Sequence, residues 1–273
     1  MLNRKKIDYV KTLVAGLIIL FHLAPLYILC NMSLKSISDT GSKWALPKSL
    51  YFQNFVTAAD VGNLFLALKN TLVVVVFSVL IIVMVSAMAA YPLSRLVSST
   101  NKMILGFIVG IMMIPQLSIL VPLYKELVAI KGINHFWGVI IVSATFNLPM
   151  AIYMYTNFIS SIPKELDEAA MIDGCSRLSV FYRIILPSLK PVTASVIIWT
   201  SVGIWNDYQF QLYFLQKPKL QTITLAITKF FTDSRTDMGA AAAAAIIVVL
   251  PTVLMYILLQ KQFVQGAMDS AVK

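Results

Sequence analysis

The sequence predicts an all-α membrane protein: six transmembrane helices, with one loop that itself folds as a pair of short helices. Three observations predict it. Of the 273 residues, 59% are hydrophobic and 12% are charged, against roughly 45–50% and about 25% in soluble domains. That charge deficit excludes a soluble globular enzyme and a disordered chain. The few charged residues also fence off long apolar stretches, and those stretches are continuous. Barrel strands must alternate, so a β-barrel is excluded as well.

The elements follow in order from the fence posts. A helix needs about 20 apolar residues to cross a core of about 30 Å at about 1.5 Å per residue. Lys11 to Lys35 encloses 23 uncharged residues, which predicts a first span over 12–34. Arg4, Lys5 and Lys6 precede it as they would a signal peptide. The apolar stretch is longer than a signal's, carries Pro25 and ends in Cys30, Asn31 and Met32 rather than a small-residue cleavage site. An uncleaved signal-anchor is therefore expected. Lys69 to Arg95 encloses 25 residues (span 70–94), Lys102 to Lys125 encloses 22 (103–124) and Lys131 to Lys164 encloses 32 (136–160). Lys190 to Asp207 encloses only 16, but the chain stays uncharged from there to Gln216, which predicts a slightly tilted span over 191–212. Asp237 to Lys261 encloses 23 and predicts the sixth span, 239–260, followed by a tail over 261–273. The six spans make one transmembrane domain.

Orientation follows from the basic residues. Six spans put both termini on one side, and the termini and even loops hold twelve Lys and Arg against nine in the odd loops. Basic residues are retained in the cytoplasm, so both termini are placed there. The net charge of +10 is scattered at membrane borders, where anionic lipids attract it. No basic run is interleaved with aromatics, so nucleic acid is not a partner. Cys30 and Cys175 should lie on opposite faces of the membrane, which leaves them unpaired. His22 is expected to pack within the first span and His135 to sit at an interface. None of these has metal-ligand company, and no catalytic constellation is present.

The spans hold no Asp, Glu, Lys or Arg at mid-depth, where ion-coupled carriers keep them. The chain has no G-x-x-x-x-G-K-[ST] phosphate loop either. An ion-coupled carrier working alone and a membrane scaffold without a pathway both remain open at this level, and the question of an energy source passes to the loops.

The loop over 161–190 is unlike the others. Pro163 suits a first helical position, and Glu165, Asp167 and Glu168 place acids where a helix dipole favours them. Asp173-Gly174 stops that helix. A second helix is expected from Ser176 to Leu186, ended by Pro187, with Leu178, Phe181, Tyr182 and Ile185 on one face. Such a pair is either an ordinary interfacial element or a docking surface for a soluble partner.

Glu168-Ala169-Ala170, Gly174, Ile184 and Leu186-Pro187 have the spacing EAA-x3-G-x9-I-x-L-P. This resembles the EAA loop of ABC importer permeases, of the carbohydrate-uptake type. Asn70-Thr71, Ala89 to Arg95, Met113-Ile114-Pro115, Ile119 to Tyr124, Trp205-Asn206-Asp207 and the tail from Phe263 resemble further stretches of that family. The tail departs at Ala267-Met268-Asp269 and Ser270, where Leu, Thr and Gly are usual.

The resemblance implies a type I importer permease in a bacterial cell membrane. This chain would pair with a second permease subunit, two ATP-binding subunits below and an extracellular solute-binding protein above. ATP and Mg would bind the ATPases and not this chain. Glu168 would face the ATPase groove, with Ala169 and Ala170 beside it and Gly174 as the tight turn. Ile184, Leu186 and Pro187 would anchor the second helix to the next span. Gln265, Gly266 and Lys273 would make a second contact with the ATPases, unless the tail simply frays. The solute would be a sugar or oligosaccharide, or another solute carried by the same family.

Within the membrane the fifth span is the most polar. Ser195, Trp199, Asn206 and Asp207 are candidates for lining a translocation pathway, since sugars need aromatic faces and amides. The competing reading has Trp205 and Tyr208 in an interfacial belt and the small residues packing helices. The run Ala240–Ala245 after Gly239 reads as a packing face.

Overall fold

A computed structural model describes residues 2–232 and 237–271, with side chains over 11–231 and 237–258 and at Gln260. Among these residues every regular element is a helix. Contacts within the chain divide it into two compact units where the sequence predicts one domain. The first is Met1–Phe65 with Ala226–Pro251, and the second is Leu66–Leu225 with Thr252–Lys273.

The first unit opens with α1 (Leu2–Ser33), whose stretch Lys11–Ser33 is long and apolar enough to cross a membrane. None of that stretch's apolar window is buried. His22 is accordingly exposed rather than packed, its Nδ1 lying 2.7 Å from the Ile18 carbonyl. The loop that follows is organised by buried amides. The Asn31 side chain donates to the Lys43 and Ala45 carbonyls, both at 2.7 Å. Asn54, in the short helix α2 (Gln53–Val61), donates to the Ser33 and Lys35 carbonyls at 2.9 and 2.7 Å. Asp39 accepts from the Gly41 and Lys48 amides, and these bonds hold its carboxyl below the usual carboxylate range. A Cβ on Gly239 would stand 2.5 Å from Asn54 Nδ2, so only glycine fits there. Ala240 to Ala244 follow it into the interior, and their small side chains let backbones approach closely.

The second unit takes up α3 (Leu64–Arg95) from Leu66 onward. Lys69 lies inside this helix, which begins six residues before the expected span. Next comes α4 (Ser99–Ile111), capped by Ser98, whose Oγ accepts from the Asn101 N–H at 3.1 Å. The expected span 103–124 is not one helix. The chain breaks after Ile111, passes a 3-10 turn at Gln116–Ile119 and resumes as α5 (Leu120–Ala129) at 90° to α4. Pro115 causes the break: its ψ of 121° is extended, and a proline ring disfavours helix in the preceding residue. Helix α6 (Phe136–Ser161) is continuous through Pro149.

Then come α7 (Glu165–Ile172), α8 (Arg177–Val180), a π-helical turn at Phe181–Ile185, and α9 (Leu186–Ser188). Together Arg177–Ser188 and α10 (Lys190–Trp205) make a second bent pair, at 71°. The expected span 191–212 therefore stops at Trp205. A new helix, α11 (Gln209–Phe214), follows Tyr208, and the Asp207 carboxylate just ahead of it accepts from the Phe210 N–H at 3.2 Å. Helices α12 (Ile223–Thr232) and α13 (Met238–Ala271) each have residues assigned to both units, and α13 runs well beyond residue 260. Among the described residues four helices are long and apolar enough to cross a membrane, or up to six if each bent pair counts as one span.

The second unit's core joins α6 to α10 through Tyr155, fully buried, whose hydroxyl meets Thr193 Oγ1 at 2.9 Å. Elsewhere in the same unit Phe146, Phe210 and Phe214 stack in sequence, with centroids 5.0 and 5.7 Å apart.

Candidate functional site

Two places gather the candidate residues, both within the second unit. The first is the loop from α7 to α9. The acids Glu165, Asp167 and Glu168 occupy the first turn of α7, where the dipole favours them. The helix ends in a Schellman motif. The Cys175 N–H reaches the Ala170 carbonyl at 3.0 Å, and the Gly174 N–H reaches that of Met171 at 3.1 Å. This geometry needs a left-handed residue, and Gly174 supplies it at φ +86° with open space around its α-carbon. Ser176 then caps α8 by accepting from the Ser179 N–H at 3.3 Å.

One face of α7 is fixed inward by Asp167 and Ala170, which are buried. The opposite face is free: Glu165, Glu168 and Ala169 are exposed, and so are Leu166 and Ile172, the latter 87% exposed. The second half of the loop meets expectation at Phe181 and Ile185 and departs from it elsewhere. Its buried residues are Val180, Phe181, Ile185 and Leu189, whereas Ile184 is half-buried and Leu186 and Pro187 are exposed. The wide π turn rotates the inward face. Leu178 and Tyr182 consequently point outward with Leu186, and Ile185 and Leu189 do the anchoring.

The inward residue Asp167 is the centre of a network that sequence reasoning missed. Arg95, the last residue of α3, donates from Nε to Asp167 Oδ2 and from Nη2 to Oδ1, both at 3.0 Å. Its Nη1 donates to the Ile162 and Ile159 carbonyls at the end of α6, at 2.9 and 3.2 Å. The Tyr91 hydroxyl adds a third bond to the carboxylate, at 3.1 Å. Both charged side chains are 8% exposed. Beside them lies a groove of about 370 Å³ between α3, α7 and α8, with Met88, Met171 and Leu178 in its walls and Glu168 at its edge.

The second place is a cavity of about 830 Å³. Ser195 and Trp199 of α10 and Asp207 line it, as do Ser143 and Asn147 of α6 and Gln116 of the broken third stretch. Trp199 is 58% exposed and so offers a free aromatic face. Asp207 Oδ1 accepts from the Phe210 N–H, while Oδ2 is buried with no hydrogen-bond partner. Asn206 does not join the lining: its side chain turns back to the Val202 carbonyl at 2.9 Å. Trp205 is 4% exposed, so it packs inside rather than forming a belt. Gln116, Ser143 and Asn147 were passed over because charge spacing does not register neutral amides and hydroxyls. The tail candidates Gln265, Gly266 and Lys273 lie outside the residues whose side chains are described.

Comparison with known proteins places this geometry. A family described as "Binding-protein-dependent transport system inner membrane component" matches residues 82–266. The melibiose/raffinose/stachyose import permease protein MelC of Bacillus subtilis (strain 168) is 40% identical, over 99% of this chain and 98% of that protein. A probable starch degradation products transport system permease protein, AmyC of Thermoanaerobacterium thermosulfurigenes, is 34% identical over 97% of each. In fold, the chain is similar to one from the crystal structure of a bacterial ABC transporter involved in the import of alginate. That likeness has a TM-score of 0.81 at 21% identity and covers 95% of this chain and 97% of that one. The family match extends over most of the chain, from the middle of α3 almost to the end of α13, and includes both places described above. The chain belongs to the family of inner membrane components of binding-protein-dependent transport systems.

Proposed function

We propose that this chain is one of two permease subunits of an ATP-driven sugar importer, and that α7 is its contact with the ATP-hydrolysing subunits. One observation carries the reading: α7 is held on one face by a buried ion pair and leaves Leu166, Ala169 and Ile172 exposed together with the carboxylates of Glu165 and Glu168. A short helix with an exposed apolar stripe suits a protein groove. Glu168 supplies an acid for basic or polar groups there. ATP and its magnesium belong to the partner subunits in this reading, and a solute-binding protein delivers from the opposite side. The loop and both termini are then cytoplasmic.

The relatives' names support a sugar, and so does the chemistry of the cavity. Its lining contains one carboxylate, several neutral polar groups and a free indole, with no Lys or Arg. That set suits a neutral hydroxylated solute better than an acidic one. The cavity would be this subunit's share of the pathway.

Co-purification of the detergent-solubilised complex tests the assembly: two ATPases and a second permease should travel with this chain. Within that complex, Glu168→Lys should uncouple ATP hydrolysis from uptake. Ion-gradient-driven uptake by the chain alone in liposomes would instead establish a secondary carrier.

A further inference from the structure

We propose that Arg95 is a positioning residue for coupling: it locks the first loop helix to the ends of two spans, so that α3, α6 and α7 move as one piece. The proposal rests on the reading that α7 docks on the ATPases. Four of the guanidinium's five N–H donors are used, on two elements besides its own. Two go to Asp167 of α7 and two to the carbonyls of Ile159 and Ile162, where α6 ends, and the side chain itself belongs to α3. Only a planar fork can make this set of bonds, since a lysine is a single point charge. Tyr91, one turn earlier on α3, holds the same carboxylate. Burial makes the lock stiff, because breaking either half leaves an uncompensated charge away from water.

The connection along the chain is built differently. Asp167 and Ala170 are the buried residues of α7. After α7 comes Gly174, at φ +86° and touching nothing within 4 Å of where a Cβ would be. Beyond lie the π turn Phe181–Ile185 and the 71° bend into α10. A turn, a widened helix and a bend in series are where backbone change is absorbed. A push on α7 therefore passes sideways through Arg95 into α3 and α6 before it passes along the chain into α10. Helix α6 carries Ser143, Asn147, Met150 and Met154 in the cavity wall, so the lock connects the ATPase contact to the pathway.

The test uses the complete importer in liposomes with its ATPases and binding protein. It compares Asp167→Asn and Arg95→Lys with the unaltered chain, and its readout is solute transported per ATP hydrolysed. Both variants should still hydrolyse ATP and carry several-fold less solute per ATP. Tyr91→Phe, which removes one bond and no charge, should show a smaller loss of the same kind. A purely structural role would lower the amount of assembled complex and leave the ratio unchanged in what assembles, and that result overturns the proposal. If the charged-pair variants do not assemble, an unchanged ratio in Tyr91→Phe overturns it instead. Failure of the unaltered chain to bind ATPases at all would overturn the docking reading and the coupling role with it, whereas binding with an unchanged ratio in the variants overturns the coupling role alone.

Discussion

The side-chain amide of Asn70 donates to the carbonyl of Gln221 at 2.9 Å, across 151 residues of chain. Its second hydrogen goes to the Lys219 carbonyl at 3.0 Å, and the residue is 5% exposed. Next to it, Thr71 Oγ1 accepts from the Ile223 N–H at 2.9 Å and donates to the Ala67 carbonyl at 2.8 Å. Two consecutive residues of α3 thus hold the segment leading into α12. The pair Asn70-Thr71, one of the stretches that carries the family resemblance, has a structural role here.

Asn70→Asp should destabilise the protein more than Asn70→Ala. Either change strands two buried carbonyls, each at about 1–3 kcal/mol. The aspartate adds a carboxylate facing those carbonyls, with nothing to donate. Thermal unfolding of the purified complex in detergent should rank the native chain first, alanine second and aspartate last. Equal melting temperatures for the two variants would contradict the assignment of both amide hydrogens.

At Gly174 the expected ranking turns on dihedral angle alone. A Cβ there meets nothing within 4 Å, yet φ is +86°. Alanine costs about 1–2 kcal/mol in a left-handed conformation, while asparagine tolerates it better. Uptake should therefore fall in the order glycine, asparagine, alanine, with Gly174→Pro lowest. If alanine matched glycine, the turn would not be held left-handed in the working complex.

The cavity separates two residues that the sequence joins. Trp199 lines it with a largely free indole, while Asn206 bonds back to its own helix. Trp199→Ala should weaken solute handling by about 0.5–1.5 kcal/mol, the usual worth of an aromatic stacking contact. That is up to about tenfold in the solute concentration giving half-maximal uptake. Asn206→Ala should change it little. The reverse ranking would mean that the pathway runs on the other side of α10.

How much of this could be read in advance depends on the range of the interaction. Charge spacing located the apolar stretches because lipid imposes a length on each. It merged α4 with α5 and α10 with α11, because Pro115 and Asp207 act on backbone direction and leave hydropathy unchanged. It placed the loop's turn at Gly174, since a Schellman ending is local. Beyond Ser176 it found the buried Phe181 and Ile185 but joined to them the exposed Leu178 and Tyr182, next to a π turn with a period wider than 3.6. Arg95 and Asp167 were each noticed, one as the end of a pattern and the other as an acid in a helix's first turn. Their pairing across 72 residues leaves no trace in spacing.

The orientation of the loop is open to a direct chemical test through Cys175. This thiol is partly exposed, directly after Gly174 and just past the end of α7. The other free cysteine, Cys30, lies near the end of α1, and Cys30→Ser leaves Cys175 as the sole target. A charged maleimide cannot cross the bilayer, because taking its charge out of water is too costly. It should label Cys175 in inside-out vesicles and in permeabilised right-side-out vesicles, but not in intact right-side-out ones. Bound ATPases should slow the labelling, since α7 would then be covered up to its last turn. Labelling from the outside would put the loop where no ATPase could reach it, and the docking reading would fail with the topology.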